Sequence, residues 1–259
     1  MAMQGTPRTV FFLSDFGVED AYVGIVKAVM EGIAPGVRIV DLAHALPPQD
    51  LRRAAYQLYE AVPYLPQGAV VLAVVDPGVG SSRRGLVVVG ERLVYVAPDN
   101  GLLTLAWLRD PPRRAYALEN PAYRLPGVSA TFHGRDVFGP AAAHLARGVP
   151  PEAFGAEVPV AALQRLPVRL GRGPGGEVLT FDRFGNAITT IQAPLPPGVR
   201  AVEVAGRPVP LARYYAEVAP GAPLALVGSS GLVEVSVREG SAREALGLRE
   251  GDPVRLVGL

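Results

Sequence analysis

The sequence predicts an α/β domain with a mostly parallel sheet and helices on both faces, followed by a small β-barrel. Three observations carry that expectation. Near the N-terminus, buried-looking apolar runs alternate with amphipathic helical stretches in the order strand, helix, strand, helix, strand. Beyond about residue 150, helical periodicity gives way to short alternating runs separated by turn residues. Between the two, proline and glycine cluster in "GVPPEAFG" and "GRGPGGEV". The expected division is an α/β domain over 1–160 and a barrel over 175–259, with a linker near 150–175.

"TVFFLSD" has the apolar continuity of a buried strand, and Gly17 turns the chain into a helix through "DAYVGIVKAVMEGIA". Asp20 is positioned to cap that helix, and Val23, Val26 and Met30 share one of its faces. "VRIVDL" is a second strand, "QDLRRAAYQLYEAV" an amphipathic helix and "AVVLAVVD" a third strand. "GLVVVGERLVYVAPD" reads as a hairpin, and "GRDVFGPAAAHLARG" as a helix ending at Gly148. In the second half "EVLTFD", "NAITTIQ", "RAVEVA", "PLALVG", "LVEVSV" and "DPVRLVG" are the barrel strands.

Composition narrows the function. With 49% hydrophobic and 19% charged residues the chain has a sizeable core, and a net charge of +1 gives no electrostatic reason to expect nucleic acid or an anionic membrane as partner. There are no cysteines, which excludes disulfides and thiolate chemistry. The first residues lack a signal-peptide pattern, and no apolar run approaches the roughly 18–20 residues that span a bilayer, so a cytoplasmic location is expected. Neither a P-loop nor a G-x-S-x-G elbow is present, and no G-x-G-x-x-G joins a strand of the α/β part to its helix as a Rossmann fingerprint would.

Polar residues gather where the predicted strands end. Asp15, Asp41 and Asp76 close the first three, and Asp99 and Asn100 follow the hairpin. Ligands of open α/β sheets bind beyond the carboxyl ends of the strands. The most specific stretch is "VVDPGVGSSRR", residues 74–84: its proline and glycines shape a tight turn, and Arg83 can fold back to reach Asp76. "SATFHGRD", residues 129–136, sets His133 just before a helix. His44 can pair with Asp41 or Asp50, and His144, inside a helix, reads as packing. Asp182 and Asn186 flank a glycine turn in "FDRFGNAITTI", and "GSSG" at 228–231 offers hydroxyls and N–H groups.

Taken in order, "SDFGVEDAYVG", "VVDPGVGSSRR", "APDNGLLT", "SATFHGRDVFGPAAAHLA", "DRFGNAITTI" and "GSSGLVEV" resemble the S-adenosyl-L-methionine (SAM) hydroxide adenosyltransferase family, relatives of the fluorinase and chlorinase. The resemblance implies an α/β domain joined to a β-barrel, and a homotrimer binding SAM between neighbouring subunits. It implies that Asp76, Arg83 and His133 activate water; the chemistry of these side chains predicts that Asp76 and His133 position the water and accept its proton, with Arg83 holding the carboxylate. It further implies that Asp15 holds the ribose, Asp20 and Asp182 the methionine amino group, Ser229 and Ser230 the carboxylate, and Asn186 the adenine edge. The fluorinase has tyrosine in place of Asp76; a carboxylate there repels halide and suits water. No cofactor or metal is implied: SAM is the substrate, and adenosine and L-methionine are the products. Two alternatives stay open on the sequence. One is a SAM- or adenosine-binding regulatory module with negligible turnover. The other is a metal-dependent phosphoesterase using Asp15, Asp41, His44 and His133, against which the three histidines count as too few.

Overall fold

A computed structural model describes residues 8–258, which divide into two compact units meeting in sequence at Leu166 and Pro167. Among the described residues, the first unit holds β1 (Val10–Ser14), α1 (Tyr22–Ile33), β2 (Ile39–Ala43), α2 (Leu51–Ala61), β3 (Val70–Val74), β4 (Gly85–Gly90), β5 (Val94–Pro98), β6 (Pro112–Ala117) and α3 (Gly139–Ala146). A π-helical turn over Gly134–Phe138 leads into α3. The strand order is β2-β1-β3-β5-β4-β6. The first four run parallel, whereas β4 pairs antiparallel with both β5 and β6. Three of the five pairings are parallel, so the sheet is mostly parallel as expected, and it is mixed only because the predicted hairpin adds one reversed strand, β4, between β5 and the edge strand β6.

Why the central strand reads as an unbroken apolar run is plain from its two faces. Val70, Leu72 and Val74 enter one core with Val26 and Met30 of α1 and Leu145 of α3. Val71, Ala73 and Val75 enter another with Ala54 and Leu58 of α2. A strand that alternates its side chains between two covered faces has no room for polar residues on either. Asp50 caps α2 by accepting from Arg53 N at 2.8 Å. Asp20 does not cap α1: the cap is Ala21, with no side-chain bond, since the helix begins two residues beyond Asp20. Asp41 sits inside β2 rather than at its end, accepting from Lys27 Nζ at 2.6 Å and pairing with His44 Nε2 at 3.0 Å.

The second unit holds β7 (Gly175–Phe181), β8 (Ala187–Gln192), β9 (Ala201–Val204), β10 (Arg207–Pro210), β11 (Pro223–Val227), β12 (Leu232–Val237), α4 (Ala242–Ala245) and β13 (Pro253–Val257). Its strands form one antiparallel sheet, β10-β9-β13-β7-β8-β12-β11. The two edges approach through Ala212 N, which donates to Ala225 O at 2.8 Å, so the sheet curls into a nearly closed barrel around Val178, Ile191, Val202, Val235 and Leu256. No helix among the described residues is long and apolar enough to cross a membrane.

Candidate active site

Because β2, β1, β3 and β5 are parallel, their carboxyl ends share one edge, where Asp15 follows β1, Asp76 follows β3 and Asp99 and Asn100 follow β5. Strand β3 delivers Asp76 into the "DPGVG" turn, which is closed by Val79 N donating to Asp76 O at 3.2 Å and Ser81 N to Gly78 O at 3.1 Å. Gly80 adopts φ +77°, and a Cβ there would run into the Ala130 carbonyl. Glycine thus lets this turn lie against the loop that leads to His133.

Arg83 joins the two segments. Its Nε donates to Asp76 Oδ1 at 2.9 Å and Oδ2 at 3.0 Å, and its Nη2 donates to Asp76 Oδ2 as well. The same Nη2 lies 2.7 Å from His133 Nδ1. The Asp76 and Arg83 side chains are only 6% and 12% exposed, so this is a nearly dry, charge-assisted fork and not a solvated surface pair. The guanidinium also lies 5.0 Å from the Phe138 ring centroid. Arginine has no acceptor, so His133 Nδ1 must be the acceptor in this contact, and the neutral ring carries its proton on Nε2. The imidazole is held below its ordinary range, first by burial and then by the neighbouring Arg83 charge, against the opposing pull of Asp76 and Asp136.

The rest of the site is held by Asn100, Asp99 and His44, which the sequence singled out, and by Asp136 and Gly134, which it did not. Asn100 Nδ2 donates to Val75 O at 2.9 Å and so fixes the backbone one residue before Asp76. The fully buried Asp136 carboxylate accepts from Ser129 N at 2.7 Å and from Arg135 Nε at 2.6 Å, which pins the loop carrying His133. Asp99 ties Arg84 to the chain at Gln164 N. Gly134 packs against Phe16, where a Cβ would fall 2.7 Å from Cζ. His44 is fixed between Ser14 Oγ at 2.7 Å and Asp41, and its carbonyl accepts from Gly17 N at 2.9 Å, which steadies the loop after Asp15. His144 packs edge-on against Tyr123.

Of the remaining sequence-predicted residues, Asp15 is half-buried and accepts from Gln49 N at 2.7 Å, and Asp20 is exposed on the same loop. In the second unit Asp182 Oδ1 accepts from Phe184 N and Asn186 N, both at 2.9 Å, and its Oδ2 accepts from Asn186 Nδ2 at 2.8 Å. Ser229 and Ser230 lie in a turn closed by Gly231 N donating to Gly228 O at 2.9 Å. Among the described residues no group of three or more His, Asp or Glu side chains is arranged to hold a metal ion.

Comparison with known proteins returns the same two-part organisation. Residues 10–155 match the SAM hydroxide adenosyltransferase N-terminal domain and residues 176–255 its C-terminal domain. A protein of Thermus thermophilus named (R)-S-adenosyl-L-methionine hydrolase is 66% identical over 258 residues, covering 96% of this chain and 100% of that one. Its namesake in Salinispora tropica is 42% identical over 256 residues, 95% of this chain and 97% of the relative. A crystal structure of a conserved hypothetical protein from Thermus thermophilus superposes with a TM-score of 0.86 at 64% identity, over 96% of this chain and 100% of that one. With the ordered motifs and the Asp76–Arg83–His133 cluster on the matched N-terminal region, these likenesses make the chain a member of the SAM hydroxide adenosyltransferase family.

Proposed function

We propose that the protein is a SAM hydrolase that releases adenosine and L-methionine, acting on the (R)-sulfonium form as the names of its relatives specify. The observation that carries the reading is the nearly dry Asp76–Arg83–His133 cluster at the mouth of β3. Water attacks C5′ in line with the C–S bond. The C5′–O bond forms, the C5′–S pair leaves with sulfur, and the sulfonium becomes the neutral thioether of methionine. The leaving group needs no proton and no Lewis acid, so no metal or cofactor enters the proposal. What the reaction lacks is a nucleophile, since bulk water has a pKa of about 15.7.

In this proposal Asp76 accepts the water proton and later gives it to solvent, a contribution of about 10²–10⁴ in rate. His133 orients the water through its Nε2–H. It does not share the proton, because Nδ1 is engaged by Arg83 and Nε2 is already protonated. Arg83 fixes the carboxylate and the ring together, which keeps the reacting geometry rigid. Asp15 takes the ribose hydroxyls, Asp20 and Asp182 the methionine ammonium, Ser229 and Ser230 its carboxylate, and Asn186 the adenine edge. The reading includes a homotrimer in which SAM is held by the first unit of one subunit and the second unit of its neighbour. It also includes a cytoplasmic enzyme serving a small molecule and not nucleic acid or a membrane, in keeping with the net charge of +1.

The test is to incubate the purified protein with each SAM epimer, with and without EDTA and chloride, and to follow products by chromatography. Adenosine and methionine in equal amounts, unaffected by either additive, are expected. A thermal shift with SAM but no product would make the protein a binding module instead.

A further inference from the structure

Asn186 sits just before β8 and is 5% exposed, yet it lines a hollow of about 490 Å³ together with the exposed rings of Phe184 and Tyr215. A carboxamide can turn either its oxygen or its NH₂ toward such a hollow, and the two choices recognise opposite hydrogen-bonding edges. Here the choice is made by acceptors. Asn186 Nδ2 donates to Asp182 Oδ2 at 2.8 Å, and a carboxylate has nothing to donate in return. The second amide hydrogen faces the Tyr215 hydroxyl oxygen at 3.5 Å. That oxygen can accept because its own proton goes to Glu234 Oε1, a carboxylate buried beside Ser236. The Tyr215 hydroxyl is pushed up to about 12, by burial first and then by the bond to Glu234, so it stays a donor at neutral pH. The chain of donors therefore runs one way, from Asn186 through Tyr215 to Glu234. Asn186 Oδ1 has no partner among the described residues.

From this geometry we infer that Tyr215 and Glu234 are positioning residues which, with Asp182, hold the Asn186 oxygen outward, so that the hollow selects a purine bearing a 6-amino group and rejects one bearing a 6-oxo group. The inference rests on the hydrolase reading and on Asn186 meeting the base. An amino group donates to the outward oxygen, whereas a 6-oxo group sets acceptor against acceptor with no rotation available to relieve it. Glu234 acts through Tyr215 and touches no substrate. Replacing it by glutamine lets the residue 234 amide donate to the Tyr215 oxygen, which frees the hydroxyl hydrogen to turn toward Asn186 and weakens the bias.

The experiment compares the full-length wild type with Tyr215→Phe and Glu234→Gln, titrating each with adenosine and with inosine by calorimetry and measuring SAM turnover alongside. Wild type is expected to bind adenosine at least about tenfold tighter than inosine. Each variant is expected to shrink that ratio by about threefold or more, with the loss in turnover appearing in KM and not in kcat. A purely structural role would weaken both nucleosides equally; an unchanged ratio in both variants therefore overturns the inference. Wild type that hydrolyses SAM but does not distinguish the nucleosides overturns it too, while leaving the hydrolase reading intact. Wild type that neither binds adenosine nor turns over SAM overturns both.

Discussion

Replacing Asp76 by asparagine separates the chemistry of the site from its shape. Asparagine keeps the volume of the side chain and one oxygen able to accept from Arg83 Nε, but its NH₂ faces a guanidinium that can only donate. Two losses follow. The first is the proton acceptor, expected to lower kcat by about 10²–10⁴, which is about 2.7–5.4 kcal/mol in the barrier at 1.36 kcal/mol per decade. The second is a cation left without its counter-charge in a pair whose side chains are 6% and 12% exposed. Breaking a buried pair from one side costs about 3–5 kcal/mol, an upper bound here because asparagine retains part of the hydrogen bonding. SAM affinity should change little, since in the proposed mechanism Asp76 meets the water and not the substrate. The assay is chromatographic kcat at saturating SAM, with calorimetric SAM binding and a thermal melt on the same sample. Asp76→Ala should lose turnover at least as deeply while still binding SAM. A folded Asp76→Asn variant with kcat within about threefold of wild type would refute the role given to this carboxylate, because a general base is worth far more than that.

The acid limb of the pH–rate profile should fall below the ordinary histidine value of 6.5, because burial and then Arg83 disfavour the imidazolium and keep His133 neutral as pH drops through that point. Protonation at Nδ1 breaks the Arg83 contact, so activity is full above the lowered pKa and lost beneath it; a midpoint above 6.5 would contradict the assignment. Gly134→Ala should lower the melting temperature, since its Cβ would lie 2.7 Å from Phe16 Cζ in a ring cluster closed by Phe132 and Tyr22, an overpacking cost of about 1–3 kcal/mol. An unchanged melt would mean that Phe16 moves aside freely. Light scattering of the active enzyme should give a trimer, and a fully active monomer would end the shared-site proposal.

Some of this protein is written in local pattern. The alternation of apolar runs with helical stretches fixes β1, α1, β2, α2 and β3, because a strand buried on both faces and a helix buried on one leave distinct periodicities. The proline and glycines after Asp76 mark a tight turn at a strand end, and Arg83 is close enough in sequence to fold back onto it. The ordered motifs carry the family.

Tertiary structure decided the rest. Edge strands β6 and β10 escape the pattern because their sequences, "PRRAYA" and "RPVP", carry the charges and prolines that an exposed edge tolerates and a central strand does not. The mixed sheet follows from where the β4–β5 hairpin docks, beyond β3 and not between parallel neighbours, which is a long-range choice. Asn100 holds Val75 across 25 residues, and Arg83 meets His133 across 50. Such bonds depend on which segments the fold brings together and leave no periodic trace in the chain. The sequence could nominate His133, but only the donor-only guanidinium beside Nδ1 decides which ring nitrogen bears the proton, and the roles proposed for His133 and Asp76 rest on that contact.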